Sequence, residues 1–561
     1  MKKILYASLF LSFLLPLAAE ETYVDKRQIL YLMSIREVEK AIDAYLTIYK
    51  TEKKHDFELL EKICLTLLDM GTNSPDPEDQ LLALYGISLS GSSSSYLTFL
   101  DHAVKSPHPM VQRSALQILA NLHEDKCLEL ISVGLKSSFL QIRFETLFYL
   151  IQRKSPNALG QTESLINLLP PQAKPLFVEL YAMHGSFEAI SILKQYMNDK
   201  DPNVRLAAVL YSALYQRDDL LNSIRSILTQ SDPVLKEAAC FAIGHLRDLN
   251  SKDLLIKSSK LPFNDTKLSA LIALYKIGDH EAKNEIMKMA KDGNLHAIHF
   301  LSEIPDSDNL LEELANRIES AISLNATLAL LNKKNPKALP HVIEILMQDP
   351  QVSGFAPSIS LGHSLMSWKP ISIQAIKDKD QKNSMIAISL NFQEELLAKC
   401  LELPNKSFIE LAKIIMNKRQ TKLIPLLIRL LENEGSDETK ALLIEKAYAI
   451  ENPLLRSYAK LALYRMHVNE HYRHEFLKWL SHQKNTKMIE FRPQTDASTS
   501  GKHKTMNHFS PEEISGLFVE AFDALASNHD KEGIEFLLES LRDGHSKNRF
   551  AFAGLLLKSI H

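Results

Sequence analysis

His467-Val468-Asn469-Glu470-His471 spells H-x-x-E-H. Laid on a helix, this order puts His467 and His471 one turn apart on the same face. Two imidazoles so placed bind zinc, and Glu470 beside them serves as general base for a metal-bound water. His474 lies one further turn along that face. The remaining ligand would have to come from an acidic residue on a later helix, with Glu535 and Glu539 as nominees. A chain with 20 histidines meets such a five-residue coincidence by chance. We therefore assign no catalytic residue, no metal and no cofactor, and keep His467, His471 and His474 as candidates for adventitious metal affinity. Ser90-Gly91-Ser92-Ser93-Ser94-Ser95 lacks the Lys-Ser/Thr ending and the preceding strand of a phosphate-cradling loop, and reads as a turn between helices. Cys64, Cys127, Cys240 and Cys400 are widely separated with no Cys-x-x-Cys pair. That spacing argues against a disulfide framework, and Cys240 sits in an apolar run that suits a buried thiol.

The elements that carry these residues repeat. Asp201-Pro202-Asn203-Val204-Arg205-Leu206-Ala207-Ala208 is followed 31 residues later by Asp232-Pro233-Val234-Leu235-Lys236-Glu237-Ala238-Ala239. Each Asp-Pro reads as a helix start, with the Asp capping a free N–H and the Pro at the first helical position, where its missing donor costs nothing. Between the two runs lie Leu220, Leu221, Ile224, Ile227 and Leu228, again at helical spacing. One period is thus two helices and two turns, too small to bury its own apolar face, so it must stack on copies of itself. Val111, Ile142, Ala173, Val204, Leu235 and Thr266 keep that 31-residue phase over six units.

The pattern resembles the HEAT repeat, in particular the short bacterial form of the phycobilisome lyases. Asp199, Asp201, Pro202, Val204, Arg205, Ala207 and Ala208 match it best; Asp232, Pro233, Lys236 and Ala239 repeat it, and Pro453, Leu455, Arg456, Ala459 and Leu463 carry it far downstream. The resemblance implies an all-α, α-α superhelix of HEAT/ARM type, made of stacked antiparallel helix pairs. It also implies a ladder of acidic and basic residues between neighbouring pairs. Arg143, Lys174, Arg205, Lys236 and Lys267 occupy the basic rung, while Gln230 stands where the counterpart of Asp199 is expected.

Lys2 and Lys3, the apolar run Ile4 to Leu15 and Leu17-Ala18-Ala19 read as a cleavable signal peptide over 1–19. A helical cap is expected over 20–75, where a tetratricopeptide-type pair competes but lacks its Trp and Gly-Tyr landmarks. A HEAT array follows over 76–350, with Leu310, Leu314, Ile318 and Ile322 as one helical comb. A long loop or bend over 351–383 contains Trp368, a candidate partner anchor. A second array spans 384–483, a polar loop 484–508 carries Lys502, His503, Lys504 and His508, and a C-terminal helical cap fills 509–561, opened by the capping box Ser510-Pro511-Glu512-Glu513.

The formal charge is −3, or −5 once Lys2 and Lys3 are removed, with basic residues scattered rather than striped. That balance argues against nucleic acid. No later stretch reaches the roughly 20 apolar residues of a membrane helix. The expectation is an exported, non-enzymatic scaffold or adaptor in the periplasm or envelope of a Gram-negative bacterium. It would hold protein partners along a concave face lined by the second helix of each pair. Two alternatives are an envelope metal-dependent hydrolase built on His467, Glu470 and His471, and a cofactor-gripping or chaperone-type module like the phycobilisome-lyase relatives.

Overall fold

The computed structural model describes residues 26–91, 96–122, 125–155, 157–350, 388–417, 421–449, 452–483, 511–528, 530–544 and 546–561. The segment expected as a signal peptide, the expected bend with Trp368, the expected polar loop with Lys502, His503, Lys504 and His508, and Ser510 lie outside these residues. Among the described residues the chain forms thirty α-helices joined by short 3-10 turns, and no strand.

The helix starts follow from side-chain chemistry. Asp76, Asp201 and Asp232 each sit in extended backbone and accept a hydrogen bond from the N–H two residues on, at 2.9, 2.8 and 3.0 Å. Asn452 accepts from the N–H three residues on, that of Leu455, at 3.1 Å. In all four, proline is the first helical residue. Each cap is worth about 1 kcal/mol. The degenerate unit behaves differently: Pro171–Ala173 is a 3-10 turn, and the helix begins only at Pro175. The comb drawn through Leu310 and Ile322 is also broken, because Asp308–Ala315 ends before an exposed turn at Ile318 and a new helix runs over Ser320–Asn332.

The helices gather into two compact units. One comprises 119–483 with 511–517 and holds most of the repeats. Its first helices Leu140–Gln152, Pro175–His184, Pro202–Leu214, Pro233–His245 and Asn264–Lys276 pack one against the next, with the intervening short helices laid beside them. Val204, Ala207, Ala208, Leu235, Ala238, Ala239 and Cys240 are fully or almost fully buried between them. The small residues set the spacing: a Cβ on Gly244 would lie 2.8 Å from Ala273 Cα. All four cysteines are free, buried thiols, and burial pushes Cys240 and Cys400 up to about 12.

The other unit joins the beginning of the described chain, 26–118, to Phe518–His561. Of the segments expected as separate caps, residues 26–75 and 518–561 therefore share one core. Arg549–Ile560 packs on Phe57–Thr72 and Pro77–Leu89. Backbone meets backbone there, since a Cβ on Gly554 would stand 1.9 Å from Gly86 O. Around the rim, Arg549 pairs with Glu39 at 2.7 Å, Lys547 with Glu78, and Tyr49 donates to Glu535 at 2.5 Å.

A second 31-residue rhythm runs through the turns. Lys154, Gly185, Gln216, Arg247 and Gly278 all have positive φ, between 53° and 99°, just past the end of a first helix. Gln216 N–H bonds Ala213 O and Arg217 N–H reaches back to Ser212 O; Arg247 with Asp248, and Gly278 with Asp279, do the same. This left-handed Schellman closure satisfies the last helical carbonyls and reverses the chain. Only two of the five positions carry the glycine that the conformation favours.

Candidate functional site

The H-x-x-E-H segment does not form the helical metal site its spelling suggests. His467 has φ 52° and occupies the left-handed position after Pro453–Arg465, with its N–H on Tyr464 O. The next helix, Glu470–Gln483, begins three residues later, and Asn469 Oδ1 accepts the His471 N–H at 2.9 Å. His467 therefore caps one helix while His471 opens another. His474 Nδ1 lies 2.9 Å from Glu470 O, and His471 Nε2 lies 3.7 Å from Glu475. Glu535 belongs to the unit built from the chain ends, where it accepts from Tyr49. Among the described residues, no group of three or more His, Cys, Asp or Glu is arranged to hold a metal ion.

The repeat residues instead form an inter-repeat polar ladder. Lys174 Nζ bonds Asp199 at 2.5 Å and lies 4.5 Å from the centre of the Tyr196 ring. Asp199 in turn accepts from Asp201 N–H. Arg205 donates to Asp199 O at 2.8 Å and stands 3.8 Å from Asp232 of the following pair. Asp232 thus takes the rung that Gln230 leaves vacant, while also capping its own helix. Lys267 departs from the pattern and pairs with Glu285 on the neighbouring short helix at 2.7 Å. Arg143 donates to Ser137 O rather than to an acid.

Sequence reading missed a second set of cations. Arg217 donates to Ala182 O at 2.8 and 2.6 Å, and Arg153 to Ala120 O at 2.8 Å, so each caps the carbonyl end of the preceding first helix. Lys333 does likewise on Ile304 O and Pro305 O. Arg225 grips the nearly buried Asp248 with two 2.7 Å bonds. That guanidinium, with Ser251 beside it, holds the Asp248 carboxyl below the usual carboxylate range. Position relative to the left-handed turn is the signal that finds Arg153, Arg217 and Lys333: each is adjacent to a positive-φ residue.

What the ladder leaves uncovered is apolar. At the turns between successive pairs, Phe139, Leu140, Leu168, Leu176, Val234 and Phe263 are exposed, Leu168 to 72%. They serve four of the five pairs between Leu140 and Lys276 and lie on the edge formed by the starts of the first helices. Single exposed apolar residues need no explanation; these recur along one edge of the array. Among the described residues no helix is long and apolar enough to cross a membrane.

No family model and no curated protein matches the chain. Solved structures do. A structure of Kap121p bound to Ste12p is 13% identical with a TM-score of 0.29, and the match covers 96% of this chain and 66% of that one, just under two thirds of its length. Importin beta is 12% identical with a TM-score of 0.31, covering 94% and 82%. An engineered protein is 16% identical with a TM-score of 0.21, covering 73% and 98%. At scores of this size the likeness decides nothing about function. The capped helix pairs, the 31-residue phase and the inter-pair ladder identify the fold as HEAT-repeat α-α superhelix.

Proposed function

We propose that this protein is an exported, non-enzymatic scaffold that docks protein partners along the repeat array. The observation that carries the reading is the exposed apolar edge from Phe139 to Phe263, repeated on four of five successive helix pairs and flanked by cations and anions already committed to one another. Such an edge offers several weak apolar contacts at regular spacing, which suits an extended polypeptide partner. The export reading rests on Lys2, Lys3, the apolar run to Leu15 and Leu17-Ala18-Ala19, and the envelope of a Gram-negative bacterium is the compartment in which we expect the partner.

The test is a pull-down from envelope extract with residues 20–561 as bait, beside a variant carrying Leu168→Glu and Phe263→Glu. The expected result is a stoichiometric protein retained by the natural sequence and lost from the variant, with both baits equally helical. Recovery of no stoichiometric protein, or equal recovery by the two, overturns the proposal.

A further inference from the structure

The unit that holds the repeats contains one cleft whose chemistry the ladder does not explain. It has a volume of about 370 Å³ and is walled by Tyr448, Arg456, Ser457, Lys460, Glu475 and Phe476. That volume is within the range of small-ligand sites. Arg456 and Lys460 lie one turn apart on Pro453–Arg465, while Glu475 and Phe476 face them from Glu470–Gln483.

The charges in the cleft are unequally used. Lys460 Nζ is 2.7 Å from Glu475 Oε2 and 5.7 Å from the centre of the Tyr448 ring. Glu475 is therefore already neutralised, with His471 as a second neighbour. Arg456 occupies the same place in the repeat signature as Arg205. Arg205 has the carbonyls of Asp199 and Lys200 and the carboxylate of Asp232 around it. Among the described residues no acid lies within ion-pair distance of Arg456. Among the described lining residues, Arg456 and Lys460 against Glu475 leave one net positive charge, on a planar fork of donors, next to the Ser457 hydroxyl and an aromatic wall.

We propose that this cleft binds a monoanionic carboxylate attached to an apolar, preferably aromatic, group. The carboxylate would take two parallel bonds from Arg456, the geometry for which a guanidinium is built, and a third from Ser457. The body would lie against Phe476 and Tyr448. A free small acid and the carboxyl end of a peptide closing in an aromatic residue present the same chemistry. The site is separate from the apolar edge of the docking reading and does not depend on it.

The experiment is calorimetric titration of the full mature chain with 3-phenylpropionate, its amide, and a short peptide ending in phenylalanine as free acid or amide. The expected result is saturable binding of one or both acids and none of the amides. If only the peptide acid binds, the source is a polypeptide terminus; if the free acid binds equally, it is a small molecule. Arg456→Gln should weaken the acids by about ten- to a hundredfold with an unchanged circular dichroism spectrum. Equal binding of acid and amide by the natural protein overturns the proposal, as does no saturable binding of either acid, or full affinity in a folded Arg456→Gln variant.

Discussion

Two glycine-to-alanine changes should move stability in opposite directions. Glycine costs about 1 kcal/mol relative to alanine inside a helix, so each substitution begins with that gain. At Gly160, in Ala158–Ile166, the new methyl meets nothing within 4 Å. Gly160→Ala should therefore stabilise the protein by up to about 1 kcal/mol. At Gly554 the methyl would stand 1.9 Å from Gly86 O and 2.7 Å from Gly86 C, and helix backbone offers no rotamer by which to escape. Arg549–Ile560 would have to retreat by about 1.5 Å, enough to forfeit more than half of the dispersion along its buried face. That face carries Phe550, whose ring lies against Gly71 and whose carbonyl lies against Gly86. An overpacking cost of about 3 kcal/mol less the propensity gain leaves a net loss of about 2 kcal/mol. Because the chain has two units, one global midpoint would blur the effect. Amide hydrogen exchange in Phe57–Thr72 and Pro77–Leu89 reads it locally. Exchange there should accelerate by about thirtyfold in Gly554→Ala and stay unchanged in Gly160→Ala. Unaltered or slower exchange in Gly554→Ala would refute the close-packed crossing.

Two further outcomes follow from the repeat array. The depressed carboxyl of Asp248 contributes stability that is fully present above its unfolded pKa of about 4 and is lost as pH falls through the lower folded value; Asp248→Asn should remove about 2–3 kcal/mol at neutral pH and flatten the acid limb of the denaturation profile, and an unchanged acid limb would contradict the Arg225 pairing. At the left-handed turns, Arg247→Gly should raise stability by about 0.5–1 kcal/mol, measured by urea unfolding, whereas Gly185→Ala should lower it, since its methyl would both demand positive φ and strike Arg217.

The helix pairs were legible because their information is local. Asp201-Pro202 and Asp232-Pro233 announce starts within two residues, and Val204, Leu235 and Thr266 keep phase and are buried as read. The left-handed turns were not legible, because Lys154, Gln216 and Arg247 occupy a glycine's place and only Gly185 and Gly278 mark it. His467 misled for the same reason: its spacing to His471 is that of one helical turn, but a Schellman closure lies between them. Arg217 could not be found from spacing alone, since its acceptors are backbone carbonyls, which every residue supplies. The meeting of Gly86 with Gly554 has no periodic trace at all, because a contact between distant segments is written only as two absent side chains.

Pro77–Leu89 leaves the ribosome with its apolar partner still about 460 codons away, which at 5–20 residues per second is a wait of roughly half a minute to a minute and a half. During that interval Gly71 and Gly86 have no Phe550 to cover them, and the early helices are a natural client for a holding chaperone. A stop codon or a bulky tag near position 549 would thus injure the opening hundred residues of the protein, leaving the damage at the far end of the gene from the lesion.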